Sequence, residues 1–391
     1  MNENYFLNNI TIDFKKNFKN KSTQLHTPAF KGNEIKYLNE CIKSTFVSYV
    51  GNFVNKFENK ICRVTKSNYS VAVNSGTAAL HLIFHYLGIN EKNEVLLPSL
   101  TYVATANAVK YCNASLNFVD IEKETLGVCP NKLDIYLKKI TLFKKGKTYN
   151  KFSGKEIKAL IVVHLYGFPS KILEIKNVCK KYKLILIEDA AEAVGSYYKG
   201  QHLGTFGDFG MLSFNGNKVI TTGGGGALLL KTKHQKNYFK HISTHAKLNI
   251  KNDHVHDMIG FNYRMINLSA AIGCAQLENL NKIIKSKKQN YKFYKKKLEK
   301  KNYCSLIKVP KYSKINYWLI TAIFENKTYK NKFIKKLNNI GFGLRNIWRP
   351  LHTLNIFSNS QRDNLDNSNE IFEKAINLPS SPFLFDKINE N

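Results

Sequence analysis

The stretch YSVAVNSGTAALHLIFHYLG, residues 69–88, decides the fold class. YSVAVN (69–74) is a short apolar run that reads as a buried strand, and GTAALHLIFHYLG (76–88) opens a helix directly from it. Outward along the chain the alternation repeats. EVLLPS (94–99) is the next strand and ATANAVKYC (104–112) the next helix. SLNFVDI (115–121), KALIVVHLYG (158–167) and KLILIEDAA (183–191) are further strands, with SKILEIKNVCKKYK (170–183) a helix before the last. Apolar strands separated by helices predict an α/β fold with a largely parallel sheet covered on both faces.

After Gly226 the pattern changes. Residues 267–300 carry apolar side chains at helical spacing without a proline or turn cluster, which predicts one long helix. YWLITAIFE (317–325), a helix over 328–340 and GLRNIW (343–348) then suggest a small α+β unit. The expected organisation is an N-terminal arm (1–25), a large domain (26–262), and the long linking helix with a smaller C-terminal α+β domain (263–391).

A chain of 391 residues can bury the core of such a pair of domains. Its hydrophobic content of 43% separates it from disordered sequences. No stretch approaches the roughly 18 apolar residues of a membrane span, and MNENYFLNNITIDFKKN has no signal-peptide core, so a cytoplasmic location is expected. Seven cysteines, odd in number and without a C-x-x-C pair, argue for reduced thiols and against a disulfide framework or a metal site. The formal charge of +32 invites a nucleic-acid partner, but no RNP motif or helix-turn-helix signature accompanies it. Lysines spread over solvated helix faces, as in NYKFYKKKLEKKN (290–302), account for much of it.

Four separated elements could carry chemistry. NSGTAAL (74–80) places a helix N-terminus after a strand, where backbone N–H groups bind phosphate and Gly76 lets the anion approach; SGT before a helix is more often an ordinary cap. PSLTYVATANA (98–108) offers Tyr102 as a ring that could stack on another aromatic or fill the core. IEDAAEAVGS (187–196) puts Asp189 at a strand's carboxyl end, as partner for a protonated ring nitrogen or as a helix cap. SFNGNKVITTGGGG (213–226) holds Lys218 between small polar residues and four glycines. A lysine kept from water in such a turn can act as nucleophile and base, and Ser213 adds a phosphate contact. Phosphate cradle, aromatic stack, ring-nitrogen carboxylate and lysine are the parts that pyridoxal 5′-phosphate (PLP) requires.

With these motifs, FKGNEIKYLNECIKSTFVSYVGNFVNKFE (30–58) and GFNYRMINLSAAIGCAQLE (260–278), the chain resembles the PLP-dependent nucleotide-sugar aminotransferases of the DegT/StrS group, of fold type I. FNGNK followed by TTGGGG resembles the branch that makes 4-amino sugars on the way to legionaminic acid and bacillosamine. The resemblance implies Lys218 as the lysine that holds PLP and moves the proton, with Asp189 on the ring nitrogen and Glu192 near the ring. It further implies Tyr102 stacked on that ring and Gly76, Thr77 and Ser213 on the phosphate. Asn262 would reach the phosphate of a neighbouring subunit in a homodimer with shared sites, and Arg264 and His352 would contact substrate. The implied reaction moves the amino group of glutamate, leaving 2-oxoglutarate, to C4 of a UDP-linked 4-keto-6-deoxy-N-acetylhexosamine. The alternatives are C3 amination of a dTDP-keto sugar and a basic binding protein that keeps the fold without the chemistry.

Overall fold

The computed structural model describes residues 3–18, 22–299 and 304–384. Seven strands form the central run of a ten-stranded main sheet: β1 (Tyr69–Val73), β2 (Asn93–Pro98), β3 (Ser115–Val119), β4 (Glu156–Val163), β5 (Ile185–Asp189), β6 (Phe209–Ser213) and β7 (Gly226–Leu230). Their spatial order is β1-β7-β6-β5-β4-β2-β3, with Gln361–Arg362 added beyond β3. β7 runs antiparallel to both β1 and β6, and the other neighbours pair in parallel. The fold is therefore α/β with a mixed, mostly parallel sheet.

Burial on both faces explains why the strands read as continuous apolar runs. Leu186 packs in one core and Ile187 in the other, as do Leu96 and Leu97 on β2. The parallel strands end at Val73, Pro98, Val119, Val163, Asp189 and Ser213 along one edge of the sheet, the edge at which open α/β sheets bind ligands.

The helix expected over 267–300 is two helices, Asn267–Glu278 and Leu280–Leu298. Asn279 between them sits at φ −97°, ψ 0°, and its N–H closes back on the Gln276 carbonyl at 3.1 Å. The first helix is tied down there by Glu278, which accepts from Asn33 and Tyr37 at 2.9 Å each and pairs with Lys60 at 3.0 Å. Those contacts lie more than 200 residues away in the chain and leave no periodic trace in the segment itself.

A second sheet, all antiparallel, joins Cys304–Leu306, Ile320–Phe324, Ala375–Leu378 and Arg345–Asn346 in that order. Glu3–Asn17, within the expected arm, is a helix that buries Leu7, Ile10 and Phe14. Phe14 meets Tyr294 and Phe342 at ring-centroid distances of 5.8 and 5.1 Å. Among the described residues no helix is long and apolar enough to cross a membrane.

Candidate active site

The carboxyl edge of the main sheet floors a cleft of about 390 Å³. On one side it meets the start of the helix Gly76–Tyr86, which is capped by Ser75 accepting from the Ala78 N–H at 3.1 Å. Gly76 and Thr77 are the first two residues of that helix, so its positive end faces the cleft. A Cβ on Gly76 would stand 2.8 Å from Met211 Cε and 3.1 Å from Ser213 Cβ, so a larger residue would make the methionine end and Ser213 give way where this helix meets β6. Gly226 has the same duty from β7, since a Cβ there would lie 2.6 Å from the Ser75 carbonyl carbon.

Asp189, the last residue of β5, is buried in the floor. It accepts from the Thr105 hydroxyl at 2.8 Å and from the Ala191 N–H at 3.1 Å. Burial raises its pKa, and those two donors and the Lys218 charge offset only part of the cost. Glu192 is equally enclosed; burial raises it too, opposed first by Lys218 and then by the Tyr166 N–H, which donates at 2.6 Å.

Lys218 follows β6 in the turn that the glycines close. Its Nζ lies 3.4 Å from Glu192 Oε1 and 4.0 Å from the centre of the Trp318 ring. Trp318 is itself held by donating from Nε1 to the Asn217 carbonyl at 2.7 Å. The lysine is thus fixed at both ends, by its backbone turn and by a carboxylate and an indole face around its tip.

Of the other residues singled out from sequence, Ser213 and Tyr102 line the same cleft. Tyr102 precedes the helix Val103–Tyr111, is 51% exposed, and tilts against Trp348 at 5.2 Å between centroids. Asn262 is exposed and outside the cleft, joined to its rim where Asn74 Nδ2 donates to the Asn262 carbonyl at 3.2 Å. Arg264 is committed elsewhere. Its guanidinium is buried and donates to Glu58 and to the Ala72 carbonyl at 2.9 Å each. His352 sits in the turn Leu351–Thr353 with Nδ1 2.6 Å from Ser99 Oγ, also outside the cleft. Neither Arg264 nor His352 lines this cleft: distant segments hold the Arg264 guanidinium and His352 Nδ1.

Thr105, Tyr166, Trp318 and Trp348 were not singled out from sequence. Thr105 has a local signal in retrospect, a hydroxyl one turn beyond Tyr102 on the helix that faces Asp189. The two tryptophans have none, because they enter the site from the second half of the chain.

Residues 28–389 match the DegT/DnrJ/EryC1/StrS aminotransferase family. The chain belongs to that family. It is 37% identical over 367 residues to the GDP-perosamine synthase of Escherichia coli O157:H7, covering 93% of this chain and 94% of that protein. It is 31% identical over 334 residues to the UDP-4-amino-4,6-dideoxy-N-acetyl-beta-L-altrosamine transaminase of Campylobacter jejuni, covering 84% and 85%. Among solved structures it is similar to Helicobacter pylori PseC, an aminotransferase of pseudoaminic acid biosynthesis, with a TM-score of 0.82 at 21% identity over 92% and 94% of the two chains. Spr1654 of Streptococcus pneumoniae in its PLP form gives a TM-score of 0.82 at 21% identity over 95% and 99%.

Family membership makes the protein a PLP-dependent sugar aminotransferase of amino-sugar biosynthesis. The cleft suits the cofactor on its own evidence: a glycine-opened helix N-terminus packed closely on β6, a buried carboxylate short of positive charge, and a lysine held beside Glu192.

Proposed function

We propose that this chain transfers the amino group of glutamate to C4 of a nucleotide-linked 4-keto-6-deoxy sugar. The observation that supports it most is the convergence of Asp189, Glu192 and Lys218 with the start of the helix Gly76–Tyr86 in one cleft. Gly76, Thr77 and Ser213 are the residues to hold the PLP phosphate, Asp189 its ring nitrogen, and Tyr102 a ring face. Bound PLP supplies an electron sink for the exchange of an amino group. In each half-reaction Lys218 Nζ would act as base and then acid, moving one proton off the donor's α-carbon to the cofactor in the first and from the cofactor onto the sugar carbon in the second, steered by Glu192 and shielded from water by Trp318. Because one site serves both substrates in turn, the kinetics are ping-pong.

Two nucleotides compete. The sequence motifs favour a UDP-linked N-acetyl sugar. The relatives with identities of 37, 35 and 32% are GDP-perosamine synthases, which favours a GDP-linked hexose as the second reading. The active unit is a cytoplasmic homodimer in this proposal. Phe46, Val50, Ile259 and Ile266 are exposed at 57, 64, 86 and 46%; Ile259 and Ile266 flank exposed Asn262 in sequence, and Asn267, donating to the Ser48 and Phe46 carbonyls at 2.9 and 2.6 Å, ties the 46–50 stretch beside them, a face suited to a second copy.

The test is spectroscopic and then chemical. Glutamate should abolish the visible absorption of the PLP-loaded protein, and 2-oxoglutarate should restore it. Product NMR after turnover with the UDP and GDP keto sugars then locates the new amine; an amine at C3 overturns the C4 assignment.

A further inference from the structure

A second chamber of about 500 Å³ adjoins the cofactor cleft and shares Asn217, Trp318 and Trp348 with it. No Asp or Glu lines this chamber, whereas Arg345 and His26 do. Three of its lining side chains carry buried polar atoms without a hydrogen-bond partner among the described residues: Thr23 Oγ1, both ring nitrogens of His26, and Trp348 Nε1. Hydroxyl, imidazole N–H and indole N–H are all donors, and a buried donor left unpaired calls for an acceptor.

The placement of His26 is built in. Backbone on either side is anchored, the Leu25 carbonyl by the Ser380 N–H at 2.8 Å and the Thr27 N–H by Ser381 Oγ at 2.9 Å. The imidazole is 9% exposed, and burial first, then Lys287 and Lys218, holds its pKa well below the ordinary value. It is therefore neutral at physiological pH and offers one N–H. Arg345, in the short strand Arg345–Asn346, is exposed, and none of the ion pairs among the described residues involves it.

We propose that this chamber binds a carboxylate of the amino donor, with Arg345 as its ion-pair partner and Thr23, His26 and Trp348 as neutral donors. The assignment rests on the aminotransferase reading above. A nucleotide diphosphate presents similar anionic oxygens, but one permanent cation among neutral donors matches a singly charged carboxylate better than a doubly charged diphosphate.

The chain has two tryptophans, and both line the chamber, so intrinsic fluorescence reports on it. The PLP-loaded protein is titrated with glutarate, a five-carbon dicarboxylate that has no amine to transfer. Wild type should give a saturable fluorescence change, and Arg345→Gln should weaken it about tenfold or more. Because Arg345 is exposed, this variant keeps the fold, which circular dichroism checks. An unchanged affinity in Arg345→Gln, or no saturable change in wild type, overturns the proposal. A response to UDP or GDP that depends on Arg345 and is absent with glutarate overturns it in favour of the diphosphate. A single turnover with glutamate tests the underlying reading separately. If glutamate leaves the cofactor spectrum unchanged while glutarate binding still depends on Arg345, the aminotransfer reading fails and the carboxylate site stands.

Discussion

Glu188 and Asp189 are neighbours at the end of β5, both buried, yet their carboxyl groups are driven in opposite directions. Consecutive strand residues face opposite sides of a sheet. Glu188 points where three donors converge: His164 Nε2–H at 2.8 Å, and the N–H groups of Gly204 and Gly207 at 2.8 and 2.5 Å. Burial pushes its pKa up, and those donors together bring it below the ordinary value. Asp189 points into the cleft with two donors, and there burial wins. The first carboxylate is a completed structural part. The second is short of positive charge, a deficit that the protonated pyridine nitrogen would fill in the proposed reaction. Burial alone does not mark a working carboxylate; a shortage of donors around it does.

The largest effect should come from Lys218, the proposed base, which lies 3.4 Å from Glu192 in the same cleft. Lys218→Ala should lower turnover by about 10³-fold or more. Turnover within tenfold of wild type would break the view of this cleft as the reaction centre.

The two carboxylates should then separate by kind of damage. Glu188→Gln leaves converging donors poorly matched and should cost roughly 3 kcal/mol of stability, with the cofactor spectrum of the folded protein intact. Asp189→Asn should show no comparable loss of stability but lower kcat/KM by about 10²-fold or more. Urea unfolding and steady-state kinetics on both variants decide it, and equal destabilisation by the two would remove the distinction.

Acid should act through the Glu188 side. His202 Nε2 accepts from the Gly195 N–H at 2.9 Å, and burial brings its pKa down from 6.5 to about 4. The unfolded chain takes up that proton near pH 6.5 while the folded chain does not. Stability therefore falls as pH drops from 6.5 toward 4, by on the order of 3 kcal/mol in total. Glu188, lowered in the folded state, adds loss in the same direction below its ordinary value of 4.5. Asp189 has the opposite sign: its raised pKa favours the cofactor-free fold in acid, an advantage lost as pH rises through the folded value. Urea midpoints between neutral pH and about pH 4.5 should fall for wild type and fall less for His202→Gln; equal falls would exclude His202 as the group responsible.

The smallest effect is expected at Gly76. An alanine there must displace Met211 or Ser213, which should weaken PLP binding about tenfold with little change in unfolding of the cofactor-free chain. An unchanged PLP affinity would mean that the close approach of this helix to β6 serves packing alone.

Much of the scaffold is legible in the sequence. Strands buried on both faces write themselves as unbroken apolar runs, and strand ends are local features, so Gly76, Asp189 and Lys218 could be placed on one edge of a sheet from their flanks alone. Chain breaks set by distant anchors could not, as Asn279 shows. Nor could competition for a side chain: Arg264 is taken by Glu58, 206 positions away, and His352 by Ser99, 253 positions away.

By itself the sequence determined the α/β class and the order in which the candidate residues fall at the strand ends, because burial periodicity and turn chemistry act over a few residues. Tertiary structure alone decided which donors reach each carboxylate, which cations remain free, and that Trp318, Trp348, His26 and Arg345 meet beside the cleft. Hydrogen bonds and ion pairs form between whatever groups packing brings within about 3 Å, and packing joins positions that no local pattern links.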